Sequence, residues 1–282
     1  MTIAEKINKS IERFTTSERR VALTLLAYYP LAGLETVASF AERAGVSPPT
    51  VLRFLVRIGF KSYPDFQRIL RDELDAQLKT PLMKSTTGLV GNGRQPRSQH
   101  EEFTKALVDN LTGTLENLPA RELEGITALL ANTRFNVYLL GGRFTDAVAQ
   151  YMATHLRILR PGVIHLDGPY EHWRDELLNF RKNDVLLIFD VRRYQENVID
   201  FAGQASARGA KVVLITDQWL SPAMRFASHM LSVRIEAPSN WDSNVTTLAL
   251  VELLLASVTV KLWPSAKKRI AQIEDLRAPK PA

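Results

Sequence analysis

A chain of 282 residues has room for two cores, and 45% hydrophobic with 23% charged residues is ordinary for a globular protein. A formal charge of +6 leans toward a polyanionic partner. The absence of cysteine excludes a thiolate nucleophile, a Cys-ligated zinc and a disulfide framework together. From the N-terminus, Ile3, Ile7, Ile11 and Phe14 recur at helical spacing, with no apolar region of the kind a signal peptide carries. Thr16-Ser17-Glu18 predicts an N-cap for a helix carrying Val21, Leu23, Leu25 and Leu26, ended by Pro30. Thr36 caps a short helix through Val37, Phe40 and Ala41, which Gly45 closes. Ser47-Pro48-Pro49 opens the next, running to about Ile58 and stopped by Gly59. Ser62-Tyr63-Pro64 starts a last helix through Phe66, Ile69, Leu70 and Leu74. The first 78 residues are therefore expected to form an all-α domain.

Residues 79–99 change composition: Gly, Pro, Ser, Thr and Asn dominate and no period survives, so this is read as a linker. Residues 100–282 alternate helix and strand. A helical stretch from His100 to about Asn132 leads into FNVYLLGG, and further strand candidates begin at Val163, Val185, Lys211 and Met230. Helical segments lie between them, from Thr145 to Leu159, Tyr170 to Arg181 and Gln195 to Arg208. Apolar strands separated by amphipathic helices predict an α/β domain, core about 132–258, with a parallel sheet covered on both faces. The apolar run from Leu248 is short for a membrane span and contains Glu252, so it is read as a core helix. A soluble, cytoplasmic protein without membrane contact is expected.

The densest functional signal is the segment from Thr36 to Phe60: a capped helix, a glycine turn and a second capped helix, the helix-turn-helix layout. Thr50, Arg53 and Arg57 share a face of the second helix by i+3 and i+4 steps, with Ser47 and Pro49 at the end that would enter the major groove. Thr36 and Lys61 are candidates for phosphate contacts. The alternative is a helical hairpin with a solvated basic face. If DNA is the partner, a dimer or tetramer meeting two half-sites of a near-palindromic duplex operator is expected.

In the α/β part, Gly141 and Gly142 allow a tight strand-to-helix turn, Thr145 is placed to cap the helix and Arg143 adds a positive charge. The turn after the next long strand carries Asp190, Arg192 and Arg193, and arginine can grip a carboxylate or phosphate with two parallel bonds. Both turns suit a small anionic effector. The blander readings are turn glycines with an N-cap, and arginines paired with Asp146, Asp190 or Glu196. His155, His165, His172 and His229 are scattered without metal-ligand spacing, and no nucleophile elbow or nucleotide-binding glycine loop is present. His165, His172, Glu171 and Glu252 are not paired by spacing as an acid and a base, so no catalytic residue, metal or cofactor is assigned and an enzyme is not expected. Two alternatives remain open. One is a sugar-phosphate isomerase or sugar-phosphate-binding protein with an accessory helical domain. The other is an interaction protein that dimerises through the apolar helices at 100–119 and 242–262.

The pieces TSERRVA from Thr16, TVASFAERAGVSPPTVLRFLVRIGF from Thr36 and SYPDFQ from Ser62 resemble the helix-turn-helix domain of the RpiR family of transcription regulators. The order of elements over 132–258 and the run VVLITDQWLSPAMRFASHML from Val212 resemble the sugar isomerase (SIS) domain, the usual partner of that helix-turn-helix. The resemblance implies a phosphosugar bound through a Gly-rich first turn and a Ser/Thr-rich second turn. Here the second turn is Asp190-Val191-Arg192-Arg193-Tyr194, without the hydroxyls, which leaves a phosphosugar or an organic acid as the expected effector class. Pro48-Pro49 is a second departure, and two prolines shift the angle at which the recognition helix starts.

Overall fold

The computed structural model describes residues 2–78, 80–85 and 96–277. The helical part consists of α1 (Ile3–Ser10), α2 (Thr16–Ala27), α3 (Leu31–Leu34), α4 (Val37–Arg43), α5 (Pro48–Arg57) and α6 (Tyr63–Leu78). The cap of α2 lies one residue earlier than expected. Thr15 accepts from the Glu18 amide while the Glu18 carboxylate takes the Thr15 amide, a reciprocal box that satisfies two free N–H groups at once. Thr36 caps α4 as expected, accepting from Ser39, and Gly45 takes φ 61°, the left-handed turn that joins α4 to α5. Phe40, Phe54, Phe66, Leu25, Leu55 and Leu70 are fully enclosed at the centre. The short α3 follows Pro30 and carries no periodic signal of its own.

The linker reading falls largely on residues outside those described. Its described ends are helical: α7 (Pro81–Ser85) and the first turn of α8 (Pro96–Leu115), which begins four residues before the predicted start. The single helix expected from His100 is two, because Pro119 interrupts it and α9 (Ala120–Ala131) follows.

Five parallel strands then form one sheet in the order β2-β1-β3-β4-β5. They are β1 (Val137–Gly141), β2 (Val163–His165), β3 (Val185–Asp190), β4 (Lys211–Asp217) and β5 (Ala227–Val233). Between them run α10 (Asp146–Leu159), α11 (Tyr170–Glu176) and α12 (Glu196–Ala207), and α13 (Val245–Arg277) closes the chain's described part. Strand side chains alternate between two cores, as a sheet covered on both faces requires. Val137, Leu139, Leu187 and Phe189 meet α9, α10 and α13, while Tyr138, Leu140, Leu186 and Ile188 meet α11 and α12. By length and composition α13 could cross a membrane. It is longer than the apolar run suggested, and it instead packs Leu250, Val251, Leu254, Val258 and Leu262 into the core. The last strand starts at Ala227, before the predicted Met230, because the serine and histidine at its start hide its apolar alternation.

Helical and α/β parts share contacts. Leu220, held at φ 62°, packs into the helical core together with Met224 and Met230. Arg234 adds a two-pronged ion pair to Glu5 of α1, 2.8 and 3.1 Å.

Candidate nucleic-acid interface and ligand pocket

On α5 the buried side chains are Thr50, Val51, Phe54 and Leu55. Its exposed arc is Pro48, Pro49, Leu52, Arg53, Val56 and Arg57. That arc is turned by roughly a quarter of a turn from the face Thr50, Arg53 and Arg57 predicted by spacing. Thr50 is buried, its hydroxyl 3.0 Å from the Ser47 hydroxyl and 3.2 Å from an Arg53 nitrogen. Arg57 lies at the edge of the arc and is drawn back to α2, donating to Glu18 at 2.7 Å and to the Arg13 carbonyl at 2.6 Å. Burial works against Glu18, but its bonds to Thr15 and Arg57 hold the carboxyl below its ordinary value. Ser47, Pro49, Arg53, Thr36 and Lys61 remain exposed as expected. Leu52 and Val56, which the sequence left unassigned, are exposed on the same arc.

The strand order changes direction between β1 and β3, the switch point where the carboxyl ends of strands open a crevice. A cavity of about 200 Å³ lies there, and its walls include Gly142, Arg143, Thr145, Asp190, Arg193 and Gln195. Gly141 sits behind it: a Cβ would meet the Asp146 backbone at 2.4 Å, so only glycine lets β1 pass this close to α10. Thr145 does not cap α10 with its side chain. Its hydroxyl turns back, accepting from Gly142 at 2.8 Å and donating to the Phe189 carbonyl. The Arg143 amide donates to the Gln195 side-chain oxygen, so polar side chains of the protein itself occupy part of the anion cradle.

Arg192 is the main correction. Its backbone borders the cavity, yet its guanidinium is sealed inside, paired with Asp242, donating to the Ala76 carbonyl of α6 at 2.7 Å and lying 4.4 Å over the Trp219 ring. Lys84 completes the cluster on Asp242 at 2.7 Å. Burial pushes the Asp242 carboxyl up, and the bonds from Arg192 and Lys84 outweigh it, leaving it below its ordinary value. None of the predicted partners of Arg192 is used. Arg193 stays exposed at the mouth of the cavity.

Asp190 points inward as well, accepting from the Ser221 hydroxyl. Burial, with the charge of Asp217 adding to it, raises its carboxyl from 3.8 to about 7. Asp217 is fully enclosed at the end of β4, where it accepts from Tyr194 at 2.8 Å, from the Trp219 amide at 2.9 Å and from the Arg192 amide. His165 pairs with Asp146 at 2.8 Å rather than with another acid–base candidate, and no group of metal-binding side chains occurs among the described residues. A larger cavity of about 610 Å³ separates α2 from β5. Its lining carries Glu122 and His229, paired at 3.0 Å, and the arginines Arg19, Arg121 and Arg225 among apolar side chains.

Comparison with known proteins agrees with this division of labour. Residues 1–77 match the helix-turn-helix domain of the rpiR family, and residues 129–257 match the SIS domain. The chain belongs to the RpiR family. As an RpiR-family protein it is similar along its length to the HTH-type transcriptional regulator HexR of Escherichia coli, 22% identical over 98% of this chain and 94% of the relative. It is also 23% identical to an uncharacterized HTH-type transcriptional regulator of Thermotoga maritima, over 98% of this chain and all of that one. Its fold is shared with the sugar isomerase domain of an RpiR transcription factor from Sphaerobacter thermophilus (TM-score 0.59, 24% identity, 64% of this chain and 99% of that one). It is shared too with the Vibrio vulnificus NanR protein complexed with ManNAc-6P (TM-score 0.56, 20% identity, 99% of each chain). This RpiR-family chain is thus a transcription regulator that joins a helix-turn-helix to a SIS domain.

Several residues of its site escaped sequence reasoning: Gln195, Asp217, Ser221, Tyr194 and Asp242. Asp217 ends a predicted strand at the same edge of the sheet as Asp190, which was a usable signal. Asp242 has none, since only folding brings it to Arg192.

Proposed function

We propose that this regulator binds a near-palindromic duplex operator through α5 and that a small anion at the β1–β3 switch point changes that binding. The observation that carries the DNA reading is the exposed arc of α5, with Pro49, Leu52, Arg53 and Val56 facing outward while the opposite side is locked into the helical core. Ser47 and Thr36 lie at the starts of the two helices and Lys61 just beyond them, where backbone phosphates would pass. The SIS-domain cavity, with exposed Arg143 and Arg193 at its mouth, suits a phosphosugar or an organic acid. ManNAc-6P on the Vibrio vulnificus NanR protein supports the phosphosugar side of that class.

Arg192 supplies the route between the two. Its amide lies in the turn that the anion would touch, and its guanidinium grips Ala76 at the end of the helical part. An anion with different affinities for two positions of this turn would bias the orientation of the helical head. The same reading takes 1–78 and 100–282 as separate domains joined through 79–99. It also places the protein in the cytoplasm as a dimer or tetramer, to which the exposed Val260 and Trp263 on α13 offer an apolar contact surface. Half-sites would then lie about 34 Å apart, one turn of DNA.

The test is full-chain binding to duplex from its own upstream region and to random duplex, at two salt concentrations, with and without candidate anions. Tight, sequence-dependent binding with a steep salt slope is expected, and Arg53→Ala should lower affinity by about ten-fold and relax sequence preference. Equal binding to both duplexes would reject the operator reading.

A further inference from the structure

The outward arc of α5 is short of hydrogen-bonding groups. Pro49, Leu52 and Val56 follow one another at i, i+3 and i+7, and Leu52 and Val56 leave 42% and 64% of their surface in solvent. Scattered apolar residues on a surface need no explanation, but these form one stripe on the helix that the DNA reading sends into the major groove. The polar side chains that could have read base edges are engaged elsewhere: Thr50 is buried, and Arg57 is held by Glu18 and the Arg13 carbonyl. Arg53 alone stands beside the stripe, with one nitrogen already on Thr50, and Lys61 is exposed beyond the helix end.

The major groove offers one apolar group, the C5 methyl of thymine. A Leu–Val stripe buries favourably against such methyls. Against a G·C pair it would strip water from the O6, N7 and N4 positions and return no hydrogen bond, which disfavours that pair. We propose that Leu52 and Val56 read thymine methyl groups in each half-site, so that part of the sequence preference of this protein is apolar contact rather than hydrogen bonding. The proposal rests on the operator-binding reading above and narrows it to a chemical class of base edge. The positive charges beside the stripe, Arg53 and Lys61, suit a polyanionic duplex rather than an apolar protein surface.

The experiment selects duplexes from a randomised library with the full-length protein, then replaces each thymine of the enriched site by deoxyuridine, which removes only the methyl. At one or two positions per half-site, affinity should fall about four-fold, the worth of one buried methyl-sized group. Leu52→Ala and Val56→Ala alter exposed positions and should fold normally; each should bind more weakly and lose the response to deoxyuridine at its own position. Enrichment of a tight site in which no thymine methyl matters would overturn this inference and leave operator binding standing. A deoxyuridine effect that persists unchanged in both variants would overturn it in the same way. Failure to enrich any sequence would overturn both.

Discussion

Arg53 and Arg57 on α5 and Arg192 and Arg193 after β3 are two pairs of arginines that the sequence sends outward together. In each pair the fold keeps one outside and turns the other in, but to very different depths. Arg57 leaves 43% of its side chain in solvent and crosses only to the neighbouring α2. Arg192 leaves 1% exposed and binds groups more than a hundred residues before it and fifty after it. On a helix, direction follows from the period, and the error is a fraction of a turn. In the loop after a strand no period exists, and an arginine goes wherever the assembled fold leaves an acceptor.

The largest consequence is at Arg192. Arg192→Ala should destabilise the protein by about 3–5 kcal/mol in denaturant unfolding, because Asp242 would keep only Lys84 and the Ala76 carbonyl would lose its donor. Arg192→Lys should recover little of this, since a compact ammonium lacks the planar fork that reaches Asp242 and the Ala76 carbonyl while stacking on Trp219. A loss below about 1 kcal/mol would mean that the cluster is no deeper than the Arg57 pair, and the contrast would collapse.

Asp190 sharpens the same contrast through pH. Its pKa is raised from 3.8 to about 7, so the folded protein holds this proton more tightly than the unfolded chain does. Stability from this group is complete below about pH 4 and is lost as pH rises through 7, amounting to a few kcal/mol. Asp190→Asn should therefore flatten the dependence of thermal stability on pH between about 4 and 7. An unchanged slope would place the titration elsewhere.

The smallest expected effect is at Arg57. The arginine side of its pair with Glu18 is open to solvent, so Arg57→Ala should cost no more than about 1 kcal/mol and less at high salt. Its effect on duplex affinity should be clearly smaller than that of Arg53→Ala. Equal losses would return Arg57 to the reading face.

Local sequence signals carried most of the elements. The caps at Thr36 and Ser62, the glycine turn at Gly45 and the apolar runs of β1, β3 and β4 were legible because each depends on a few neighbouring residues and on backbone sterics. The parallel sheet followed from the alternation of apolar strands with amphipathic helices. The turns carrying Gly142, Thr145 and Asp190 were named from local sequence, but that they flank one switch point came only with the strand order. Long-range pairing was decided only in three dimensions. Arg192 with Asp242 and Ala76, the turned-in Thr145 hydroxyl, and the Asp190 carboxyl beside Ser221 each depend on groups that no sequence spacing relates. The physical reason is that a buried polar group must find a partner wherever the packed chain offers one, whereas a helix face or strand face is set by the geometry of its own backbone.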